Sequence, residues 1–182
     1  TWETFRLHRA LALRKYEESL NALMRVLSFS RNVADISQEL LDSIEKDRSE
    51  VELPEDLVWH NEKEPYRIKL TYMLQRIRNT GSLPPGHHPA KYNSPRDFVE
   101  DLKIIDRSLR GHYADYVAEI HLNKIIRQAE LFGFHLAQLD IRQHSKEHEA
   151  TITEILAKSG VEPAYDQLPE DDKIRLLASL LE

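Results

Sequence analysis

The residues best suited to chemistry lie in the stretch from residue 134 to residue 148. Apolar and polar residues alternate over residues 137–142, which places Ala137, Leu139 and Ile141 on one face and Gln138, Asp140 and Arg142 on the other. This period of two is typical of a β-strand, and we predict one over residues 134–142. Arg142 ends the predicted strand, and its planar, permanently charged guanidinium could bind a phosphate or a carboxylate through two parallel hydrogen bonds. The alternative is a structural arginine paired with Asp140 or with a helix C-terminus, and the spacing alone leaves both readings open.

The string His144-Ser145-Lys146-Glu147-His148 directly follows. It has the H-x-x-E-H form of one class of zinc protease, in which two histidines hold the metal and the glutamate acts as a base. His144, however, falls at the exit of the predicted strand, and no third ligand is indicated. We therefore predict no metal site in this chain and keep a zinc hydrolase using His144 and His148 as an alternative.

Composition narrows the possible functions. The 182 residues include 25 Lys and Arg against 31 Asp and Glu, a formal net charge of −6 that disfavours a broad nucleic-acid-binding surface. The chain has no cysteine, which excludes disulfides, thiolate metal sites and a cysteine nucleophile and is consistent with the cytoplasm. No apolar run approaches the roughly 18 residues that a membrane span needs, so we expect neither a nucleic acid nor a membrane as partner.

The elements that must position these residues are mainly α-helical. Gly is rare, with 5 residues, and apolar residues recur at helical spacing, as Leu13, Tyr16, Leu20, Leu23 and Leu27 do. We predict helices over about 3–28, after Ser37 as N-cap, from Pro65 to a C′ glycine at Gly81, from Ser94-Pro95 to Gly111, around Leu122 to Gly133, and over about 147–159 and 169–181. Residues 49–64 are predicted to form a loop, as is a proline-rich segment, 82–93, in which His87 and His88 form a solvated pair.

A lone strand among helices has no partner for its backbone N–H and C=O groups. The neighbouring segments offer no second run of that character. We therefore expect residues 1–182 to be a single helical segment taken from a larger chain, and the absence of an initiator Met agrees with that expectation.

Several motifs in the sequence resemble those of the phosphoenolpyruvate carboxylase family. Phe132-Gly133, Leu139-Asp140-Ile141-Arg142-Gln143, Ser145 and His148 look like the family's "FG…LDIRQ-S-H" stretch, and Glu64-Pro65-Tyr66-Arg67 is similar to its "EPYR" helix start. Further segments match the family in the same order along the chain. They are the first helix, Phe98-Val99-Glu100 with Arg107-Ser108-Leu109, and the stretch from Leu168-Pro169-Glu170. Gln138 and His144 depart from the usual Arg and Glu, and Gly111 to Tyr116 replace a glycine-rich stretch.

The resemblance implies a large, mostly helical lyase built around a parallel β/α barrel, to which the strand 134–142 would belong. It implies Mg²⁺-dependent carboxylation of phosphoenolpyruvate by bicarbonate, in a homotetramer under allosteric control. Arg142 would then be a catalytic residue that binds the substrate phosphate, and Arg67 would contribute to a sugar-phosphate activator site. The catalytic histidine motif, the metal carboxylates and the glycine–arginine loop are missing from this sequence, so the segment alone is expected to be inactive. A non-enzymatic helical interaction module is the alternative.

Overall fold

A computed structural model describes residues 2–27, 36–54, 63–82, 90–111, 115–137 and 142–180. Within these ranges every regular element is helical and no strand occurs, which confirms the prediction of a mainly α chain. The elements are α1 (Trp2–Val26), α2 (Gln38–Glu50), α3 (Pro65–Gly81), α4 (Pro95–Arg110), α5 (Asp115–Val117), a π-helical turn (Ala118–Leu122), α6 (Asn123–Phe132), α7 (Ser145–Ser159), a 3₁₀ turn (Tyr165–Gln167) and α8 (Glu170–Ser179). Residues 1–138 and 139–182 form two compact units, and each is described by itself.

The first unit is built around α3. This helix packs against α1 on one side and α2 on the other, while α4 contacts α2 and α6. The predicted stripe of α1 faces the core as expected, since its members are all at most 4% exposed: Leu13, Tyr16, Leu20, Leu23 and Leu27. Helical spacing therefore identified the buried face of α1 correctly.

Two predicted helix starts are confirmed by their capping bonds. The hydroxyl of Ser37 accepts a hydrogen bond from the backbone N–H of Leu40, at 3.3 Å. Ser94 and Asp97 form a reciprocal capping box at the start of α4, with Pro95 in the first turn, where its missing N–H leaves no bond unmade. These caps determine where α2 and α4 begin.

Two glycines have different roles at the ends of helices. Gly133 ends α6 with φ of 54°, a backbone conformation that side chains oppose, and a Cβ there would lie 3.1 Å from Cγ of Pro95. The prediction that Gly81 is the C′ residue is wrong: Gly81 is the last residue of α3, and the cap is Ser82. At this position the small size of glycine lets α1 pack closely against α3, because a Cβ on Gly81 would lie 3.3 Å from Cδ1 of Leu13.

The predicted strand does not begin at Phe134. Residues 134–136 form a turn and bends, the side chain of Phe134 is buried, and the N–H of His135 donates to the carbonyl of Phe132 at 3.0 Å. The chain therefore turns where the strand was expected to begin, with the Phe134 ring packed in the core. Residues 138–141, with Asp140, lie outside the described residues, as do residues 83–89 of the proline-rich loop with His87 and His88.

The second unit contains α7, the 3₁₀ turn and α8. Glycine at position 160 ends α7 in the left-handed conformation, with φ of 73°. Lys173 of α8 forms an ion pair with Glu149 of α7, and its ammonium lies 5.4 Å from the centre of the Tyr165 ring. Among the described residues of this unit, only Leu156 and Tyr165 are buried hydrophobic side chains, so its core is small.

Candidate functional site

Arg142 lies in irregular chain three residues before α7, and its side chain is exposed. An exposed arginine at this position is compatible with the anion-binding role that the LDIRQ motif suggests. Asp140, the expected orienting neighbour, belongs to the residues that the structure does not describe. The structure therefore shows that Arg142 is exposed and where it lies relative to α7.

The H-x-x-E-H string begins a helix. The side chain of His144 is the N-cap of α7, because its Nδ1 accepts a hydrogen bond from the backbone N–H of Lys146 at 3.3 Å. Glu147 lies in the first turn, where the helix dipole favours a negative charge. Across the described ranges, no group of three or more His, Cys, Asp and Glu could hold a metal ion. The arrangement thus gives the zinc alternative no support.

Arg67 lies in the first turn of α3, in the first unit. Its Nη1 is 2.8 Å from Oε2 of Glu64, and its side chain is 40% exposed. Pro65 and Glu64 set the start of this helix, so the EPYR sequence presents Arg67 at the surface. Arg67 and Arg142 belong to different units, and each is accessible on its own.

The motif residues next to Arg67 have a packing role. The hydroxyl of Tyr66 and Oγ of Ser108 share a hydrogen bond of 2.9 Å across 42 residues of sequence, and both side chains are buried. Ser108 also accepts a hydrogen bond from the N–H of Ser37 at 3.3 Å. The EPYR and RSL motifs therefore meet in the core, where they join the starts of α2 and α3 to the end of α4.

A cluster of buried charges between α2, α3 and α4 was missed by sequence reasoning. The ammonium of Lys69, whose residue is 0% exposed, lies 2.7 Å from Asp47 Oδ2 and 2.7 Å from Asp101 Oδ1. Burial raises the pKa of Asp47 from its ordinary value, although the Lys69 ammonium beside it acts in the opposite direction. We call Asp47, Lys69, Arg76 and Asp101 the charged cluster.

Arg76 and Tyr92 complete the contacts of the charged cluster. Arg76 Nη2 donates to Asp47 Oδ1 at 2.9 Å and to Glu50 at 2.6 Å, and its guanidinium lies 5.8 Å from the centre of the Tyr92 ring. The Tyr92 hydroxyl donates to Asp101 Oδ2 at 2.7 Å, and burial raises the pKa of Tyr92 well above its ordinary value. These groups satisfy one another, so the cluster links three helices, α2, α3 and α4.

The sequence did contain a signal for the charged cluster. Asp47 continues the spacing of Leu40 and Ile44, at intervals of four and three, so it occupies a core position of α2. A carboxylate at such a position must meet a buried cation, because an unpaired charge in a core is strongly unfavourable. Which cation would meet it depends on how the helices pack, which the sequence pattern does not specify.

Comparison with known proteins decides the family. The family model described as phosphoenolpyruvate carboxylase matches residues 1–182. The chain belongs to the phosphoenolpyruvate carboxylase family. This result confirms the family indicated by the LDIRQ and EPYR motifs.

Relatives named phosphoenolpyruvate carboxylase match nearly the whole chain. The enzyme from Synechocystis sp. is 36% identical over 97% of this chain, and the one from Roseiflexus castenholzii is 37% identical over 100% of it. A relative from Paraburkholderia xenovorans is 36% identical over 94%. The chain covers only 18%, 21% and 18% of these three phosphoenolpyruvate carboxylases, or about a fifth of their length.

None of the helices in the described ranges is both long and apolar enough to cross a membrane.

Proposed function

We propose that this chain is part of an enzyme that carboxylates phosphoenolpyruvate with bicarbonate to give oxaloacetate and phosphate. The observation that carries the proposal is the family match over residues 1–182. The accessible Arg142, in the LDIRQ motif and just before α7, supports it. We expect the protein to work in the cytoplasm.

Arg142 would act on the phosphate of the substrate. In the proposed reaction a bicarbonate oxygen attacks phosphorus, the bond from phosphorus to the enol oxygen breaks, and carboxyphosphate and an enolate result. Carboxyphosphate then releases CO₂, which the enolate captures through its terminal carbon. A guanidinium can hold two phosphate oxygens at once and stabilise the charge that moves during the transfer, which is an electrostatic contribution.

The family implies a metal cofactor, and we propose Mg²⁺. The described residues of this chain do not fit such a site, since they contain no group of three or more potential ligands. We therefore assign no step to the metal here. Its carboxylate ligands would belong to the remaining polypeptide, which accounts for about four fifths of the relatives' length.

Arg67 is the proposed regulatory residue. Its side chain is 40% exposed and held by Glu64, so a sugar phosphate could displace the carboxylate and take its place. If Arg67→Gln loses activation by a sugar phosphate but keeps its activity without the activator, the regulatory role of Arg67 is supported. Unchanged activation would contradict that role.

We further propose that the intact enzyme is a homotetramer.

The decisive experiment is an assay of the full-length enzyme that contains this chain. Malate dehydrogenase and NADH report oxaloacetate, which should form only when phosphoenolpyruvate, bicarbonate and Mg²⁺ are all present. The 182-residue chain alone should give no signal above background. A full-length protein that folds but forms no oxaloacetate would refute the proposal and favour the helical interaction module.

A further inference from the structure

An open groove of about 640 Å³ lies in the first unit between α4 and α6. Its apolar lining includes Val99, Ala129 and Phe134, which are all buried. Phe132 also lines the groove, and it remains 49% exposed, while the neighbouring Leu131 is 68% exposed. Two large apolar residues that remain accessible beside an apolar floor mark a surface suited to covering by another molecule or segment.

Two cations and two carboxylates line the groove, Arg96 and Lys103 with Glu100 and Glu130, and three of the four are already in ion pairs. Lys103 forms an ion pair with Glu130 at 2.7 Å, and Glu100 forms one with Arg107 at 2.7 Å. Arg96 also lines the groove, is exposed, and has no ion-pair partner among the residues that the structure describes. The groove thus combines an apolar floor with one exposed arginine, Arg96, that is in no ion pair with the described residues.

The walls of the groove are held in place before anything binds. Gly133 contacts Pro95 across it, and the Phe134 ring packs against those of Tyr16, Tyr92 and Phe98, at centroid distances from 6.3 to 6.4 Å. A preformed surface loses little conformational entropy when a partner docks.

We propose that this groove docks a segment from the remaining four fifths of the carboxylase polypeptide, one that places an apolar side chain on the floor and a carboxylate against Arg96. This inference rests on the proposed function, because it takes the chain to be part of the longer enzyme. The relatives are about five times as long as this chain, so the remaining polypeptide is the partner present at the highest effective concentration. The positive charge of Arg96 selects a segment that carries an acidic residue.

The test uses the full-length enzyme with Phe132→p-benzoylphenylalanine, which replaces one aromatic side chain by a photoreactive one. After irradiation and digestion, mass spectrometry should find cross-links to one segment outside residues 1–182, with an apolar residue close to Asp or Glu. Arg96→Glu should lower the cross-link yield by about fivefold, the effect expected of losing one partly exposed ion pair. Arg25→Glu is the matched control, because Arg25 is exposed near the end of α1, outside the groove; it should leave the yield unchanged.

In the Arg96→Glu enzyme, replacing the acidic residue of the docked segment by lysine reverses its charge and should restore the cross-link yield. If Arg96→Glu does not fold, Arg96→Gln takes its place in the measurement of the yield. Cross-links only within residues 1–182, only to a second copy, or only at background level would overturn the proposal. So would equal yields with and without Arg96. The malate dehydrogenase assay separates the two ideas: an active enzyme without the cross-link refutes the docking alone, and an inactive protein with it refutes the activity alone.

Discussion

The hydroxyl of Tyr16 donates a hydrogen bond of 2.6 Å to the carbonyl oxygen of Gly133, which lies 117 residues further along the chain. Tyr16 is in the middle of α1, and Gly133 ends α6. The bond holds the point at which the chain leaves α6 and continues toward the LDIRQ motif. Two predictions concern this contact.

The first concerns alkaline pH. Burial raises the pKa of Tyr16 from 10.0 to about 12. Folding thus favours the neutral hydroxyl. Its contribution to the free energy of unfolding is complete below pH 10 and is lost as the pH rises toward 12. We expect the free energy of unfolding from urea titrations to fall over this range, and Tyr16→Phe to make the fall shallower by about 2 kcal/mol. Equal slopes for the two proteins would show that Tyr16 ionises as freely in the folded chain as in the unfolded one.

The second concerns Gly133→Ala. A methyl group there would combine an unfavourable φ of 54° with a 3.1 Å approach to Pro95, so we expect a loss of about 1–3 kcal/mol in the free energy of unfolding. Gly111→Ala is the control in the same unit, because φ at Gly111 is an ordinary −64°. It should change stability by less than about 1 kcal/mol. Similar losses at both positions would contradict the reading of Gly133.

A third prediction concerns the charged cluster. Lys69→Met removes the cation between Asp47, which is buried, and Asp101, whose side chain is 17% exposed, and leaves both carboxylates without it. We expect a loss of about 3–5 kcal/mol, measured by thermal or urea unfolding.

The control for Lys69 is Lys103→Met, which breaks an ion pair whose two side chains are 42% and 47% exposed. That change should cost less than about 1 kcal/mol. Asp101→Asn added to Lys69→Met should recover part of the loss, since one buried charge is then gone. A small effect of Lys69→Met would mean that water reaches the cluster.

The fourth prediction concerns Arg142 in the full-length enzyme. Arg142→Lys keeps the charge but loses the planar pair of donors, so kcat/KM should fall by about 30- to 1000-fold, equivalent to roughly 2–4 kcal/mol. We expect kcat to fall and KM to rise together, because the phosphate is held throughout the reaction while its charge redistributes.

Arg175→Lys is the matched control for Arg142, since Arg175 is an exposed arginine of α8 whose guanidinium lies 3.6 Å from the carboxylate of Asp172. Its kinetics should match those of the unmodified enzyme. If folded Arg142→Lys and Arg142→Ala both retained normal kcat/KM with a lowered melting temperature, Arg142 would be a structural residue.

Sequence reasoning succeeded where a single helix carries the signal. The α1 stripe from Leu13 to Leu27 and the cap at Ser37 follow from local spacing and local hydrogen bonding, and both are confirmed. The alternation that favoured a strand runs from Ala137 to Arg142, and most of it lies outside the described residues. The prediction failed at Phe134, where the chain turns and the ring packs among those of Tyr16, Tyr92 and Phe98. Such contacts join distant segments and leave no periodic trace.

For the candidate site, too, the sequence predicted local features but not contacts between helices. Short motifs identified the family, since the motifs are local, and the role that they suggest for Arg142 stays a prediction. Lys69 was missed because its partners Asp47 and Asp101 come from two other helices, and only the packing of α2, α3 and α4 brings the three together. The role of His144 was also missed, since its backbone bond to Lys146 appears only once α7 is formed.

The hydrogen bonds around Ser108 constrain how this sequence can diverge. One hydroxyl contacts both Tyr66 and the backbone of Ser37, so replacing Ser108 by alanine disturbs two helix starts at once. If Tyr66→Phe occurs first, one of the two hydrogen bonds of Ser108 is already gone, so a later change of the serine costs less stability. We therefore expect positions 66 and 108 to change together among related lineages, with the tyrosine lost first, although 42 residues separate them.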